Sequence, residues 1–478
     1  MPIAMHTLHL AFIVLYELLV VAAILHVVMD NRQPAKTMAW ALVIYFVPVV
    51  GLLFYVFFGI NTRKERLVSN RSVNQLTKRA MLEFVEQSNF SVPECHKQIV
   101  DLFVNQNMAL PFKNNLVKIY SNGEDYVLDL LRSIGAARHH IHVNMYIFED
   151  DALGMLVSDA LLDAAARGVE VRVIYDDVGC WKVRSAFFER MREGGIEVNA
   201  FMPVRFPMFT SRANYRNHRK LVVIDGMQGY IGGMNIAKRY VRGRAGVPWR
   251  DTMVRLSGGA VYALQRMFLV DWYFTDRTLI THRSYYPPIP DECVNDCLAQ
   301  VVTGGPDTPY PELLQGYIRV ILQARRYLYL ETPYFLPSGA VLMALKTAAV
   351  GGVDVRLIVP LHADSFWVEW AGRSYLREVM EAGVKVYMYD KGFLHSKMLV
   401  CDDSLATCGS ANIDMRSMET NFEANVFFYD SAVAKRFKQL FEEDMQHSEL
   451  MDGSVQGRRP VFLVRLLESV MRLLSPLM

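Results

Sequence analysis

His218-Arg219-Lys220-Leu221-Val222-Val223-Ile224-Asp225, then six residues, then Gly232-Gly233-Met234-Asn235: this stretch decides how the chain folds. The same frame returns as His395-Ser396-Lys397-Met398-Leu399-Val400-Cys401-Asp402, then six residues, then Gly409-Ser410-Ala411-Asn412. On a strand, His and Lys two positions apart point to one face. The apolar letters that follow build a buried strand, and the glycine supplies a tight turn that returns Asn toward the histidine. The step from Lys to Asp is odd, so Asp225 and Asp402 fall on the opposite face, where they buttress the fold.

Working outward, each motif ends a copy of one α/β unit. Ile141–Phe148 is expected to be a strand, Ala152–Ala166 a helix and Val169–Tyr175 a second strand. Leu328–Glu331, Gly339–Ala349 and Val353–Val359 repeat that order. Arg-Gly-Val-Glu-Val-Arg-Val-Ile at 167–174 matches Gly-Gly-Val-Asp-Val-Arg-Leu-Ile at 351–358, and Gly-Gly-Ile-Glu-Val at 194–198 matches Ala-Gly-Val-Lys-Val at 382–386. Two phrases in the same order mark an internal duplication.

Ahead of the repeats lie two apolar runs. Leu8–Met29 is interrupted only by His9, Glu17 and His26, and Thr37–Ile60 carries no charge. Each is long enough for the ~20 helical residues that cross a bilayer, so a transmembrane hairpin is expected. No basic segment precedes Leu8 and no small-residue cleavage site follows, which argues against a signal peptide. Arg32 and Lys36 lie in the connecting loop, whereas Arg63, Lys64, Arg66, Arg71, Lys78 and Arg79 follow the second run. That excess places the large domain in the cytoplasm. Glu17 is expected to face the partner helix or to sit near an interface.

Composition agrees with a membrane-anchored globular protein. Of 478 residues, 52% are hydrophobic and mean hydropathy is +0.14, high for a soluble enzyme and incompatible with disorder. Fifty-one Lys and Arg against 49 Asp and Glu give a net charge of +2, too balanced for a general nucleic-acid coat. The six cysteines form no Cys-x-x-Cys pair and are expected to be reduced thiols.

The paired motifs resemble those of the phospholipase D superfamily, whose two His-Lys-Asp motifs meet at one site between two similar domains. The N-terminal apolar hairpin, Thr332-Pro333-Tyr334-Phe335 and Asn412-Ile413-Asp414-Met415-Arg416-Ser417 leading to Asn421-Phe422-Glu423 are similar to bacterial cardiolipin synthases. The resemblance covers essentially the whole chain. The fold it implies is α/β: two duplicated phospholipase D-type α/β sandwich domains packed around a shared active site, preceded by a two-helix transmembrane hairpin. The expected divisions are 1–60 for the hairpin, 61–115 for a membrane-proximal linker, 116–290 and 300–450 for the two domains, and 451–478 for a C-terminal amphipathic helix.

Two histidines with ordinary pKa near ~6.5 can divide a displacement at phosphorus, one neutral and nucleophilic, the other protonated and donating to the leaving oxygen. A phosphohistidine then splits the exchange into two steps. Lys220, Lys397, Asn235 and Asn412 would surround the phosphoryl oxygens. The superfamily implies His218 as nucleophile and His395 as general acid then base, in a catalytic set that includes Asp225 and Asp402; the near-symmetric sequence also permits the reverse assignment. Glu423 and Asp251 are candidates for orienting the histidines, and Arg216 for contacting substrate. No cofactor and no metal are implied. His139, His140 and His142 read as surface or structural.

Phe201–Phe209 is an apolar loop just before the first motif, and Arg212, Arg216 and Arg219 follow it. A greasy lip beside a basic cleft suits an anionic headgroup whose acyl chains stay in the bilayer. Lys238, Arg239, Arg242 and Arg244 either add to that field or form a solvated face. In the tail, Leu463, Leu466, Leu467, Val470, Met471 and Leu474 form one helical stripe, compatible with an interfacial helix or with one packed on the protein. The function implied is transfer of a phosphatidyl group between two phosphatidylglycerols, giving cardiolipin and glycerol. Its setting is a multi-pass protein of the bacterial inner membrane, with lipids and the bilayer as partners, no nucleic acid, and homo-oligomerisation left open. The rival readings are a phospholipase D-type hydrolase, a phosphatidyltransferase using phosphatidylethanolamine or another acceptor, and a lipid- or nucleic-acid-binding scaffold.

Overall fold

The computed structural model describes residues 2–29, 34–55, 59, 92–204, 214–289, 297–451 and 462–475. It divides into two units, the smaller built on residues 1–65 and 204–215.

In the smaller unit, helix Pro2–Met29 folds back on helix Pro34–Phe46. Val20 and Val27 of the first helix, Ile44 of the second and Tyr55 are buried together, with Tyr16, Ile24 and Trp40 packed around them. These positions repeat at helical spacing, which is why one stripe of an otherwise uniformly apolar helix forms the seam. Glu17 is exposed, off that stripe. Among the described residues one helix, His9–Met29, is long and apolar enough to cross a membrane. The second run differs from expectation: it is split at Val47 into Pro34–Phe46 and Pro48–Phe54. Pro48 has no N–H to continue the first ladder, so the helix restarts there. The basic residues from Arg63 to Arg79 that suggested an orientation lie outside the described residues.

The larger unit carries the duplication. The first repeat is a seven-stranded sheet in the order Asn115–Tyr120, Met253–Gly258, Gln228–Gly232, Lys220–Ile224, His140–Met145, Glu170–Asp176, Glu197–Phe201. The second follows the same order with Ala299–Gly304, Glu423–Phe428, Leu405–Gly409, Met398–Cys401, Tyr327–Glu331, Asp354–Pro360 and Lys385–Tyr389, extended by short edge strands Pro111–Phe112 and Ser448–Leu450. In each sheet the last three strands run parallel and the others pair antiparallel. Helices Gly123–Ala136, Ala152–Ala166 and Ser185–Glu193 cover the first sheet, burying Tyr126, Leu130, Leu161 and Met191 against Val143, Val171 and Val173. Asn122 and Asp151 cap two of these helices by accepting their first N–H groups.

Part of the stretch expected to be a linker belongs to the second repeat. Helix Glu94–Asn107 inserts Ile99 and Phe103 into that core, with the Phe103 ring 4.7 Å from Phe427. Its apolar residues recur three to four apart, so the helix has a face to bury. The described cysteines, Cys95, Cys180, Cys297, Cys401 and Cys408, are free; Cys293 lies outside the described residues.

Candidate active site

Each motif strand begins at or just after its lysine, at Lys220 and Met398, so the histidines stand just ahead of it. What holds them is a pair of short ladders between the repeats. The His218 N–H donates to the Phe422 carbonyl at 2.9 Å and the Phe422 N–H to the Arg216 carbonyl at 2.9 Å. In the other half, Phe393 and Leu394 pair in parallel with Trp249 and Arg250, and the His395 N–H reaches the Arg250 carbonyl at 2.6 Å. Each histidine segment thus runs beside the residue that precedes the other repeat's carboxylate.

The side chains complete the exchange. His218 Nδ1 lies 2.9 and 3.0 Å from the two oxygens of Glu423, and His395 Nδ1 lies 2.6 Å from Asp251 Oδ2. Asp251 and Glu423 hold equivalent places, two residues before Met253 and Asn425, which pair with Gly232 and Gly409. A carboxylate on Nδ1 selects the Nδ1–H tautomer and leaves Nε2 as the reactive nitrogen. The two halves differ in one detail. The Ser410 hydroxyl donates to Glu423, whereas a Cβ at the matching Gly233 would come within 2.0 Å of Asp251 Oδ1.

His218 and His395 line one cavity of about 360 Å³ with Tyr146, Asn235, Arg239, Tyr240, Trp249, Tyr334, Asp364, Asn412 and Arg416. Burial depresses His218 to about 4 and His395 to about 3; Glu423 and Asp251 oppose the shift, while Lys220 and Lys397 reinforce it. Lys220 and Lys397 are buried beneath the histidines. Lys220 Nζ donates to the His218 carbonyl at 2.6 Å, and Lys397 Nζ donates to the His395 carbonyl and sits 2.9 Å from its Nδ1. Burial brings Lys220 down to about 7 against the pull of Glu423, and lowers Lys397 against that of Asp251. Burial alone would raise Glu423 and Asp251; the adjoining cations hold both below the usual carboxylate range.

Asn235 and Asn412 are both in the cavity wall. Asn235 accepts from the Ile147 N–H and donates to the Tyr240 hydroxyl, and Asn412 donates to Asp414. Asp225 and Asp402 stand apart from it. Asp225 accepts the N–H groups of Arg138, His139 and His140, and Asp402 those of Arg325, Arg326 and Tyr327, each tying a turn to the start of a central strand. Both adopt positive φ, 54° and 52°, which Asp tolerates better than most residues.

Arg216 and Arg219, expected to help form a basic cleft, are both buried. Arg216 is 2% exposed, bonded to the Met202 carbonyl and 3.6 Å from Asp176, and Arg219 pairs with Asp271. Both flank the first histidine, where an unpaired cation would be costly to bury, so partners inside the fold take them. Residues 205–213, with most of the apolar loop and Arg212, lie outside the described residues. The cations in the cavity wall are Arg239, which pairs with Glu149, and Arg416. Tyr146 and Asp364 had no signal in sequence; Tyr334, whose hydroxyl donates to Asp364 at 2.9 Å, was visible only as part of a phrase. His140 and His142 are buried, joined through Gln265, and serve the core of the first repeat. Among the described residues no group of three or more His, Cys, Asp or Glu is placed to hold a metal ion.

Comparison with known proteins bears on this geometry. The family described as "Cardiolipin synthase, PLD-like domain" matches residues 130–268 and 317–445, and "Phospholipase_D-nuclease N-terminal" matches residues 18–59. The major cardiolipin synthase ClsA of Bacillus subtilis (strain 168) is 38% identical over 472 residues, covering 96% of this chain and 97% of that protein. A cardiolipin synthase of Geobacillus kaustophilus is 38% identical over 474 residues, with 98% and 94% covered. Among solved structures, phosphatidylserine synthase of Haemophilus influenzae superposes with a TM-score of 0.62 at 15% identity, covering 80% of this chain and 99% of that one, which is a likeness of fold.

Proposed function

The chain belongs to the bacterial cardiolipin synthase family, with its phospholipase D-like domains, and from that membership we propose that its paired histidines carry a phosphatidyl group from one phosphatidylglycerol to another. The observation that supports it is the crossed pairing of His218 with Glu423 and His395 with Asp251 around one cavity. His218 Nε2 attacks the donor phosphorus; the P–N bond forms as the P–O bond to glycerol breaks, and His395 gives its proton to the departing oxygen. The glycerol leaves. His395 then takes the proton of the acceptor's terminal hydroxyl, whose oxygen forms a new P–O bond as the P–N bond breaks, giving cardiolipin.

Burial makes both histidines poor bases. An entering phosphodiester anion favours protonation of the acid member, so the substrate's own charge helps arm His395. Lys220, Lys397, Asn235 and Asn412 offset the charge that develops on the phosphoryl oxygens. Asp225 and Asp402 hold the motif strands at their far ends. A lipid acceptor has the advantage over water of being concentrated in the same film as the enzyme.

The N-terminal unit acts as the anchor. Two crossings with the catalytic unit on the cytoplasmic side are supported by the paired apolar runs and by the basic excess after the second. The test is incubation of the purified full chain with phosphatidylglycerol alone, followed by mass spectrometry. Cardiolipin and free glycerol in equal amounts, and a phosphatidylated His218 peptide after acid quench, are expected. Phosphatidic acid as the main product would instead identify a hydrolase.

A further inference from the structure

Helix Phe462–Leu474 packs on helix Phe366–Glu381 with two of its three charges, Glu468 and Arg472, turned inward. Glu468, 2% exposed, pairs with Arg377. Arg472 donates to Glu378 at 2.6 Å and to Ser374 at 3.2 Å, with its guanidinium 4.2 Å from the Tyr375 ring. Met471 is buried in the seam. These bonds fix which way the helix faces, and the side left outside is mostly apolar, with Arg465 and Ser469 among its residues: Phe462 is 76% exposed, Leu466 48% and Leu473 79%. A helix docked for stability alone would turn that side in.

The helix it packs on also begins with exposed apolar residues. Phe366 and Trp367 are 57% and 55% exposed, and they sit between Ser365 and Val368, both in the wall of the catalytic cavity. The equivalent loop of the first repeat, after strand Glu170–Asp176, carries Trp181, 77% exposed. That loop rests on Tyr146, whose carbonyl would lie 2.1 Å from a Cβ at Gly179 and whose ring lines the same cavity. Each repeat thus places an exposed tryptophan beside the shared cavity.

The cavity, at about 360 Å³, is at the low end for sites that enclose a small ligand. It has room for a phosphodiester and headgroup, and the two acyl chains must remain outside, at the rim. We infer that Trp181, Phe366, Trp367 and the outer face of Phe462–Leu474 form a ridge that lies in the interfacial layer of an anionic lipid bilayer and seats the cavity on it. Aromatic side chains with a polar edge favour that layer, and exposed Lys182 and Arg465 beside the ridge suit its negative charge. The inference rests on the proposed use of phosphatidylglycerol.

The test compares two substrates with the full-length chain: dihexanoyl phosphatidylglycerol free in solution, and long-chain phosphatidylglycerol in vesicles holding the reconstituted protein. The variants are Trp367→Glu and the pair Leu466→Glu with Leu473→Glu. Turnover of the vesicle substrate is expected to fall about tenfold or more in each, since one variant replaces one apolar contact with lipid by a charge and the other replaces two, while turnover of the soluble substrate stays within about twofold. Equal turnover by variant and parent on both substrates overturns the inference. So does an equal loss on both, which would assign these side chains to the fold, or a change of oligomeric mass in detergent with no split between substrates, which would make the ridge a contact between copies of this chain. Failure of the parent chain to convert either substrate counts against the proposed function instead, and is seen before any ridge variant is made.

Discussion

His395 is held between Asp251, 2.6 Å from its Nδ1, and Lys397, 2.9 Å from the same nitrogen, so its acidity is a balance of opposed charges. Asp251 favours the protonated ring. Asp251→Asn keeps the shape and removes the charge, which lowers the histidine pKa. In the proposed mechanism His395 carries a proton to release glycerol, so the alkaline limb of the kcat–pH profile should move to lower pH, with kcat down roughly 10–100-fold. An unmoved limb would mean that Asp251 acts only on shape. Gly233→Ala should give a loss of comparable size by displacing Asp251, whereas Ser410→Ala should cost less, since Glu423 keeps His218; steady-state kinetics on the three variants orders them. The histidines stood out because they recur in one frame repeated twice, whereas Glu423 came from a phrase shared with the resembled family and Asp251 only from its matching position in the first repeat. Arg216 was a candidate through adjacency to the motif alone, and a letter beside a motif does not show that its side chain comes, as here, within 3.6 Å of Asp176.

At the scale of elements, the motif aspartates act as ties. Each accepts three backbone N–H groups from the turn leading into a central strand. Asp225→Ala or Asp402→Ala should each cost about 1–2 kcal/mol of stability, as lost caps do, read as a lower thermal midpoint, while kcat of the protein that remains folded is nearly unchanged. A large fall in kcat at full stability would place the carboxylate in the chemistry. The odd step from Lys to Asp pointed away from the histidine face, although both aspartates in fact follow the end of the strand in left-handed turns. The split of the second apolar run was signalled by Pro48, yet uniform hydrophobicity outweighed one residue. The orientation of the tail helix was beyond reach, because its stripe of leucines shows a face but not what lies against it; Arg377 and Glu378, which decide the matter, are some ninety residues away in sequence.

For the whole molecule, acid is the exposed flank. His140, His142, His218 and His395 all have folded pKa values pressed down by burial, to between about 3 and about 4. Above pH ~6.5 both folded and unfolded chains hold them neutral. As pH falls below that value the unfolded chain takes up protons that the folded chain refuses, so stability should decline steadily from pH 6.5 toward 4. Thermal midpoints of the full chain in detergent across that range check it; a flat profile would mean that these rings are charged in the folded state. The duplicated architecture was plain from the paired phrases. That helix Glu94–Asn107 joins the second repeat was not, since nothing local separates a linker from a helix whose core arrives two hundred residues later. The crossed carboxylates carry a last consequence. Either repeat alone has a histidine without its acid and an acid without its histidine, so a one-repeat ancestor could work only as a pair of identical molecules facing each other. Held in one chain, the two sides need not match, and they do not: the shorter acid lies opposite glycine and the longer one opposite serine.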